Sequence, residues 1–312
     1  MSLIEQAAKR LEQLRQAGVE LPDDNLAQSP AQRAQTIATA PDPYATPIVR
    51  SPLAADEKKP ASSTSKRIEL NLEAISAAGL LVPQATRSQL ADEFRVIKRP
   101  LIANAMGKGS EPLPNGNLIM VTSALPGEGK SFTAINLAIS IAMELDNTVM
   151  LVDADVARPS VLNMLGLPPA AGLLDVVAKN SVDISGVLLR TNIEKLSILP
   201  SGMQHPRATE LLASDAMVRL LEDMASRYND RIIIFDSPPL LLTTESRALA
   251  THMGQIVIVV NAENTAQAAV KQAVDAIEAC PVKMMVLNQA RQAATDGYGY
   301  GYGYGYGYGD DK

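Results

Sequence analysis

Residues 124–131 read ALPGEGKS, between the apolar run NLIMVT at 117–122 and a helical stretch at 131–145. The octet matches the phosphate-binding pattern G-x-x-x-x-G-K-[ST] except at its first position, where Ala124 replaces glycine. A strand before such a loop and a helix after it are the context in which the pattern works. Its glycines let backbone N–H groups close on phosphate oxygens, and the N-terminus of the next helix adds positive potential. Pro126, Gly127, Glu128, Gly129, Lys130, Ser131 and Phe132 are therefore the candidate phosphate-site residues. Lys130 would reach the β- and γ-phosphates, and Ser131 would ligate Mg2+.

Outward from this loop, short runs rich in Val, Ile and Leu recur at 117–122, 148–153, 195–199, 231–236, 255–260 and 283–288. Helical stretches at 131–145, 173–179, 208–228, 244–253 and 265–279 separate them. Runs apolar at every position read as strands buried on both faces, as parallel strands are. Their alternation with helices predicts an α/β fold with a doubly wound, mostly parallel sheet of the P-loop NTPase type. Two strands close on acids: VDAD puts Asp153 and Asp155 at the end of the second, and FDSPP puts Asp236 at the end of the fourth. The C-terminal ends of parallel strands face the ligand crevice. There a hydroxyl and one or two carboxylates hold a hydrated Mg2+ during nucleotide hydrolysis or transfer. Ser131, Asp153 and Asp236 are the candidate metal residues.

The flanks differ in character. Leu3, Ile4, Ala7, Leu11 and Leu14 share one helical face, so residues 1–20 read as an amphipathic helix that either folds back or docks elsewhere. Residues 21–65 are rich in Pro, Ala, Ser, Asp and Gln without periodicity and read as a flexible linker. The folded domain is then expected at 66–290. Residues 291–312 carry a strict Gly–Tyr alternation, in which Tyr298, Tyr300, Tyr302, Tyr304, Tyr306 and Tyr308 are six of the eight tyrosines in the chain. So few other side chains cannot offset the entropy of ordering, and the tail is expected to be disordered. It would present phenol hydroxyls on a tether with a reach of roughly 25 Å. An adhesive contact segment is the alternative reading of such a repeat.

Bulk composition narrows the classes. A net charge of −6 does not favour nucleic-acid binding. The single cysteine, Cys280, excludes an internal disulfide and fits a reducing compartment, where it reads as a small buried apolar residue. His205 and His252 are too few for a metal cluster and read as structural. No apolar run reaches the ~18 residues of a membrane span, and no secretory h-region opens the sequence. A cytoplasmic chain is expected, reaching a membrane through a partner.

The phosphate loop, the Asp-x-Asp strand end, the strand ending Asp-x-Pro-Pro and the tyrosine-rich tail together resemble the bacterial tyrosine kinases (BY-kinases), from about Arg67 to the C-terminus. In that likeness 124–131 matches Walker A, 150–155 Walker A′ and 232–236 Walker B. The openings MSLIEQAAKRLEQLR and EFRVIKRPL are similar, more narrowly, to tyrosine autokinases of exosortase-linked exopolysaccharide systems.

The resemblance implies an ATP-dependent, non-specific protein-tyrosine kinase. It would autophosphorylate Tyr298–Tyr308, in trans within a ring-like homo-oligomer, and regulate exopolysaccharide biosynthesis or export. Lys130 and Ser131 would bind ATP and Mg2+, and Asp236 would hold the metal. Asp153 and Asp155 would organise it, one of them accepting the tyrosine proton; Lys130, Asp153, Asp155 and Asp236 are the catalytic set. Asn288 matches a position that touches adenine, a capping or turn role being the alternative. Implied partners are a membrane-embedded polysaccharide chain-length (co-polymerase) activator and a cognate tyrosine phosphatase, with localisation at the inner membrane through the former. Six phosphates would add about −9 to −12 charges and disperse the ring. Asp92, Arg95 and Lys98 occupy the positions of a family assembly motif Glu-x-x-Arg-x-x-Arg; a solvated helix face with an i,i+3 pair is the alternative. Arg158 stands one residue beyond its family position. Partition and division-site ATPases share the fold, with a tail that would serve as a contact segment, but they carry a lysine where this chain has Leu125.

Overall fold

The computed structural model describes residues 65–84, 87–109, 112–179, 183–227 and 231–291. The expected N-terminal helix, the linker up to residue 64 and the tail from residue 292 lie outside the described residues. Strands β1 (Lys66–Arg67), β2 (Leu118–Ser123), β3 (Thr148–Asp153), β4 (Leu189–Arg190), β5 (Leu196–Leu199), β6 (Arg231–Asp236), β7 (Gln255–Asn261) and β8 (Val282–Asn288) form one sheet in the order β1-β4-β5-β3-β6-β2-β7-β8. Every pairing is parallel except β4 with β5.

The continuous apolar runs are explained by a core on each side of the sheet. Alternate residues of one strand point to opposite faces. Ile119, Val121, Val149, Leu151, Ile232, Ile234, Val257 and Val259 belong to one core, and Leu118, Met120, Met150, Val152, Ile233, Phe235, Ile256 and Ile258 to the other. The first face is covered by α3 (Lys130–Ala142), with α2 (Gln89–Ala105) packed outside it and α1 (Leu72–Ala77) contributing Ile75. Because α3 lies between sheet and α2, it is buried almost all round, its small polar residues Ser131, Thr133, Asn136 and Ser140 included. On the same side, α4 (Val161–Met164) is a single turn after β3.

The opposite face is covered by α5 (Leu173–Lys179), α6 (Ile184–Val187), α7 (Ala208–Leu212), α8 (Asp215–Arg227), α9 (Thr244–Ala250) and α10 (Gln267–Asp275). The helix expected over 208–228 is two helices. The first ends at Ala213, and the Ser214 hydroxyl accepts the Met217 N–H at 3.3 Å to start the second. Cys280 is buried, as the apolar reading expects. No helix among the described residues is long and apolar enough to cross a membrane.

The expected assembly residues separate along α2. Asp92 and Arg95 lie toward solvent and pair with each other. Lys98, 5 % exposed, turns inward instead. Its ammonium donates to the Ser140 carbonyl at 2.6 Å, in the last turn of α3, and meets the Glu144 carboxylate at 2.7 Å. A cation on the C-terminal carbonyls of a helix is favoured by the helix dipole, so Lys98 fastens α2 to α3. Lys98→Met should lower stability by about 2 kcal/mol, the range for a buried charged hydrogen bond. It would be read as a lower urea midpoint at unchanged slope. An unchanged midpoint would show that this fastening is inert.

Candidate active site

β2, β6 and β3 are neighbours; the chain leaves β3 toward the β5 side and leaves β6 the other way, toward β7, which opens the crevice at their C-terminal ends. Backbone bonds knit those ends together. The Ala154 N–H donates to the Asp236 carbonyl (2.8 Å), Ser237 N–H to the Val121 carbonyl (3.0 Å), and the Thr122 hydroxyl to the Pro238 carbonyl (2.7 Å). Asp153 stands directly opposite Asp236 in the β3–β6 register. The crevice therefore gathers the acids that the sequence placed 83 residues apart, between positions 153 and 236.

At its centre the Lys130 ammonium lies 2.7 Å from Asp155 Oδ2, 3.7 Å from Asp236 Oδ1 and 3.3 Å from the Ser131 hydroxyl. Asp155 also accepts the Arg158 N–H at 3.1 Å, so Arg158 contributes its backbone here while its residue is exposed. Asp153 Oδ2 accepts the N–H groups of Ser160 (3.2 Å) and Val161 (3.1 Å), and the Ser160 hydroxyl bonds Ser131 at 2.8 Å. Asp153 Oδ1 and both Asp236 oxygens have no hydrogen-bond partner.

All three aspartates are at most 3 % exposed. Burial and then the neighbouring Asp236 charge push Asp153 up to about 7. Burial pushes Asp236 up to about 6, with the Lys130 charge and the Ser131 hydroxyl opposing it. Burial works against the Lys130 charge, but Asp236 and Asp155 outweigh it and its pKa is raised. Three carboxylates around one ammonium leave a negative excess that a divalent cation would neutralise. The donor set fits Mg2+: a hydroxyl on Ser131, unpartnered carboxylate oxygens, and no cluster among the described residues that would cage a metal without help. A cation completed by phosphate oxygens and water matches that chemistry.

The phosphate loop has a second layer that the motif does not announce. Gly127 and Gly129 adopt positive φ, 81° and 93°, a region closed to most side chains. A Cβ on Gly129 would stand 2.0 Å from the Asn288 side-chain nitrogen. Glu128 was expected to face the nucleotide, but its carboxylate is buried at 2 % exposure and points the other way. It accepts the Leu125 N–H at 2.5 Å and the Asn261 N–H at 3.4 Å, and bonds the Thr265 hydroxyl. Asn288 donates to the Glu128 carbonyl at 2.9 Å, and Gln289 to the Gly127 carbonyl at 3.1 Å, while Gln289 also bonds Asn261. Phe132, in the first turn of α3, is half-buried against the core, and Pro126 is exposed at the loop. Thr265, Asn261, Gln289 and Ser160 were absent from the sequence-derived set. Polar residues at strand and loop ends were their sole signal there.

The family model described as "AAA domain" matches residues 116–289. The tyrosine-protein kinase YwqD of Bacillus subtilis is 34% identical over 167 residues, 54% of this chain and 69% of that protein. The succinoglycan biosynthesis transport protein ExoP of Rhizobium meliloti is 33% identical over 183 residues, 58% of this chain but 22% of that protein. The chain thus spans about two thirds of the first relative and about a fifth of the second. Among solved structures, the chimerical protein CapA2B2 superposes with a TM-score of 0.58 at 28% identity, covering 73% of this chain and 95% of that one.

Gln289 holds the positive φ of 58° that carries its amide to the loop. Gln289→Ala should weaken ADP binding about three- to ten-fold in titration calorimetry, the loss of roughly one hydrogen bond's worth of positioning. Gln289→Gly, which keeps the backbone conformation accessible, should weaken it likewise. Affinity equal to the parent in both would show that the loop needs no such brace.

Proposed function

The chain belongs to the AAA domain family and to the bacterial tyrosine-protein kinases, and from that premise we propose that it transfers the γ-phosphoryl group of ATP to tyrosine. The observation that carries the reading is the Lys130 ammonium set among Asp155, Asp236 and Asp153, directly behind a glycine-bent phosphate loop. Phosphoryl transfer needs positioning and charge neutralisation more than covalent chemistry, and this centre offers both.

The side chains divide the work. The loop N–H groups from Gly127 to Ser131 would cradle the β- and γ-phosphates, with Lys130 drawn to their negative charge. Ser131 and Asp236 would hold Mg2+, which when bound neutralises charge on the transferring group. Asp155 orients Lys130. Asp153, expected also as a metal residue, has one oxygen engaged by the start of α4 and one without a partner. We assign that second oxygen to the acceptor. The phenol oxygen forms a bond to the γ-phosphorus as the bond to the β,γ-bridging oxygen breaks, and that electron pair leaves on ADP. The phenolic proton, which free tyrosine releases only near pH ~10, passes to Asp153.

The proposed acceptors are Tyr298, Tyr300, Tyr302, Tyr304, Tyr306 and Tyr308, reached in trans within a homo-oligomer in which Asp92 and Arg95 are the exposed candidates of α2 for contact. The ExoP relative's name concerns succinoglycan biosynthesis and transport, which supports a role in exopolysaccharide assembly. A separate membrane-embedded co-polymerase activator, a tyrosine phosphatase and placement at the inner membrane belong to the same proposal, as does broad rather than single-protein tyrosine specificity.

Incubation with MgATP should add phosphate units that map to Tyr298–Tyr308 by intact mass and peptide analysis, and Lys130→Met should abolish them. Deleting residues 297–312 should remove the modification and leave ADP affinity within two-fold. ATP turnover by the wild type without tyrosine phosphate, even beside its membrane activator, would overturn the kinase reading.

A further inference from the structure

The sheet ends on one side at β1, two residues long, and on the other at β8, seven residues long. Among the described residues, the backbone of 283–287 bonds nothing but β7. The outward N–H and C=O groups of an edge strand are a template for another strand. The side chains of β8 divide by parity. Met284 and Val286 pack against the core that α3 and α2 cover. Met285 and Leu287 point to the opposite face and are 55 % and 68 % exposed. On that face Ala273 of α10 joins the second core with Ile256 and Ile258 of β7, and neither Met285 nor Leu287 does. Such an edge is ordinarily shielded by charge, proline or a bulge. β8 carries one charge, Lys283, and its ammonium turns back to the Glu278 and Cys280 carbonyls at 3.2 and 2.8 Å.

One segment of the chain has the matching period. Residues 297–309 alternate glycine and tyrosine without exception, and in a strand alternate residues share a face. Paired as a strand, this segment would carry every tyrosine on one side and bare glycine on the other. Tyrosine is a strong strand former, and no proline interrupts the backbone N–H groups that a ladder needs. Directly opposed residues of antiparallel strands lie on the same face, so one register sets tyrosines beside Met285 and Leu287. A slip of one residue would set glycines there and leave both uncovered. The chain length allows the return. The chain leaves β8 at Asn288, bends at Gln289 with φ 58° and pairs Arg291 with Glu263 at 3.1 Å. Eight residues, 289–296, precede Gly297, and Asp296–Gly297 is a dipeptide favoured in tight reversals. Residues 297–303 then match the seven-residue length of β8.

We propose that the edge of β8 is the docking surface for the unphosphorylated glycine–tyrosine segment of the same chain, which adds there as an antiparallel strand with its rings over Met285 and Leu287. Alone, the segment has nothing to offset the entropy of ordering. On the edge, a ladder of main-chain bonds and newly covered apolar surface offset it. The docked segment is withheld from the Lys130 centre. Phosphate on these tyrosines adds about −1.5 to −2 charges each. Such a group has no place beside methionine and leucine side chains, because a charge taken from water without a partner is costly. The edge therefore holds the unmodified segment and releases the modified one. Docking itself needs no kinase activity and is separable from the kinase reading.

Hydrogen exchange read by mass spectrometry tests this on the full chain, dephosphorylated and without ATP, beside a chain lacking residues 297–312. The outward amides within 283–287 should exchange about ten-fold more slowly in the full chain. Met285→Lys together with Leu287→Lys, both at exposed positions, should bring the full chain to the rate of the shortened one. Added to the shortened chain, the peptide GYGYGYG should restore the slow exchange, and the same peptide with three phosphotyrosines should not. Should the double variant fail to bind ADP, the peptides decide in its place. Equal exchange in the full and shortened chains would overturn the docking. Protection that grows with chain concentration beside a dimer mass would overturn it in favour of a second copy. Equal protection by the two peptides would overturn the release. None of these readouts uses ATP, so a chain that modifies no tyrosine would overturn the kinase reading and leave them unmoved.

Discussion

The structure turns on one lysine among three buried aspartates. Lys130 is held at 2.7 Å by Asp155, reaches Asp236 at 3.7 Å and feels Asp153 beyond them. Buried carboxylates without enough positive charge are unfavourable in a folded chain. This cluster is tolerable because the sheet and its loops fix each member: β3 and the turn after it supply two acids, β6 the third, and α3 begins with the lysine, one loop after β2. The residual negative charge favours a divalent cation at this centre, since an added cation relieves what burial imposes. Binding is thus prepared by a local electrostatic deficit, and the surrounding fold supplies the stability that the deficit lacks.

The remaining polar groups show where that support comes from. On the β7–β8 side of the crevice, Asn288 and Gln289 donate to the Glu128 and Gly127 carbonyls, and the Asn261 N–H and Thr265 hydroxyl donate to the Glu128 carboxylate, so the phosphate loop is held from behind. On the β3–β5 side, Ser160 and Val161 hold Asp153, and Asp175 holds the loop after β5. The two flanks of the crevice are therefore braced by different halves of the sheet, with β6 and its Asp236 between them.

Much of this was legible in the sequence, for a physical reason. Strands buried on both faces have no choice but to be apolar throughout, so five of the six long strands were readable within a residue or two of their observed bounds; β8 was readable too, but as the sheet's edge it covers one face only and leaves Met285 and Leu287 exposed. The phosphate loop and the acidic strand ends were readable because their chemistry needs fixed residue types at fixed positions. The short strands β1 and β4 and the single-turn helices α4 and α6 were not, since two to four residues carry no periodicity. Lys98 read as a surface base because its partner, the Ser140 carbonyl, belongs to a helix 42 residues away. Glu128 read as a nucleotide neighbour because its true partners, Asn261 and Thr265, lie more than 130 positions further on. A side chain whose role is set by a distant backbone atom leaves no local trace.

The same logic explains why the glycine–tyrosine segment says nothing of its role on its own. It is a strict alternation that names no partner in its own residues. Its proposed role comes from the site: a centre suited to phosphoryl transfer, and an acid with one oxygen held and one unpartnered. A phenol within reach would bring that carboxylate a proton, which free tyrosine keeps until pH ~10. A centre that asks only for such a hydroxyl would need no recognition of the residues around it, so glycine between the rings would suffice.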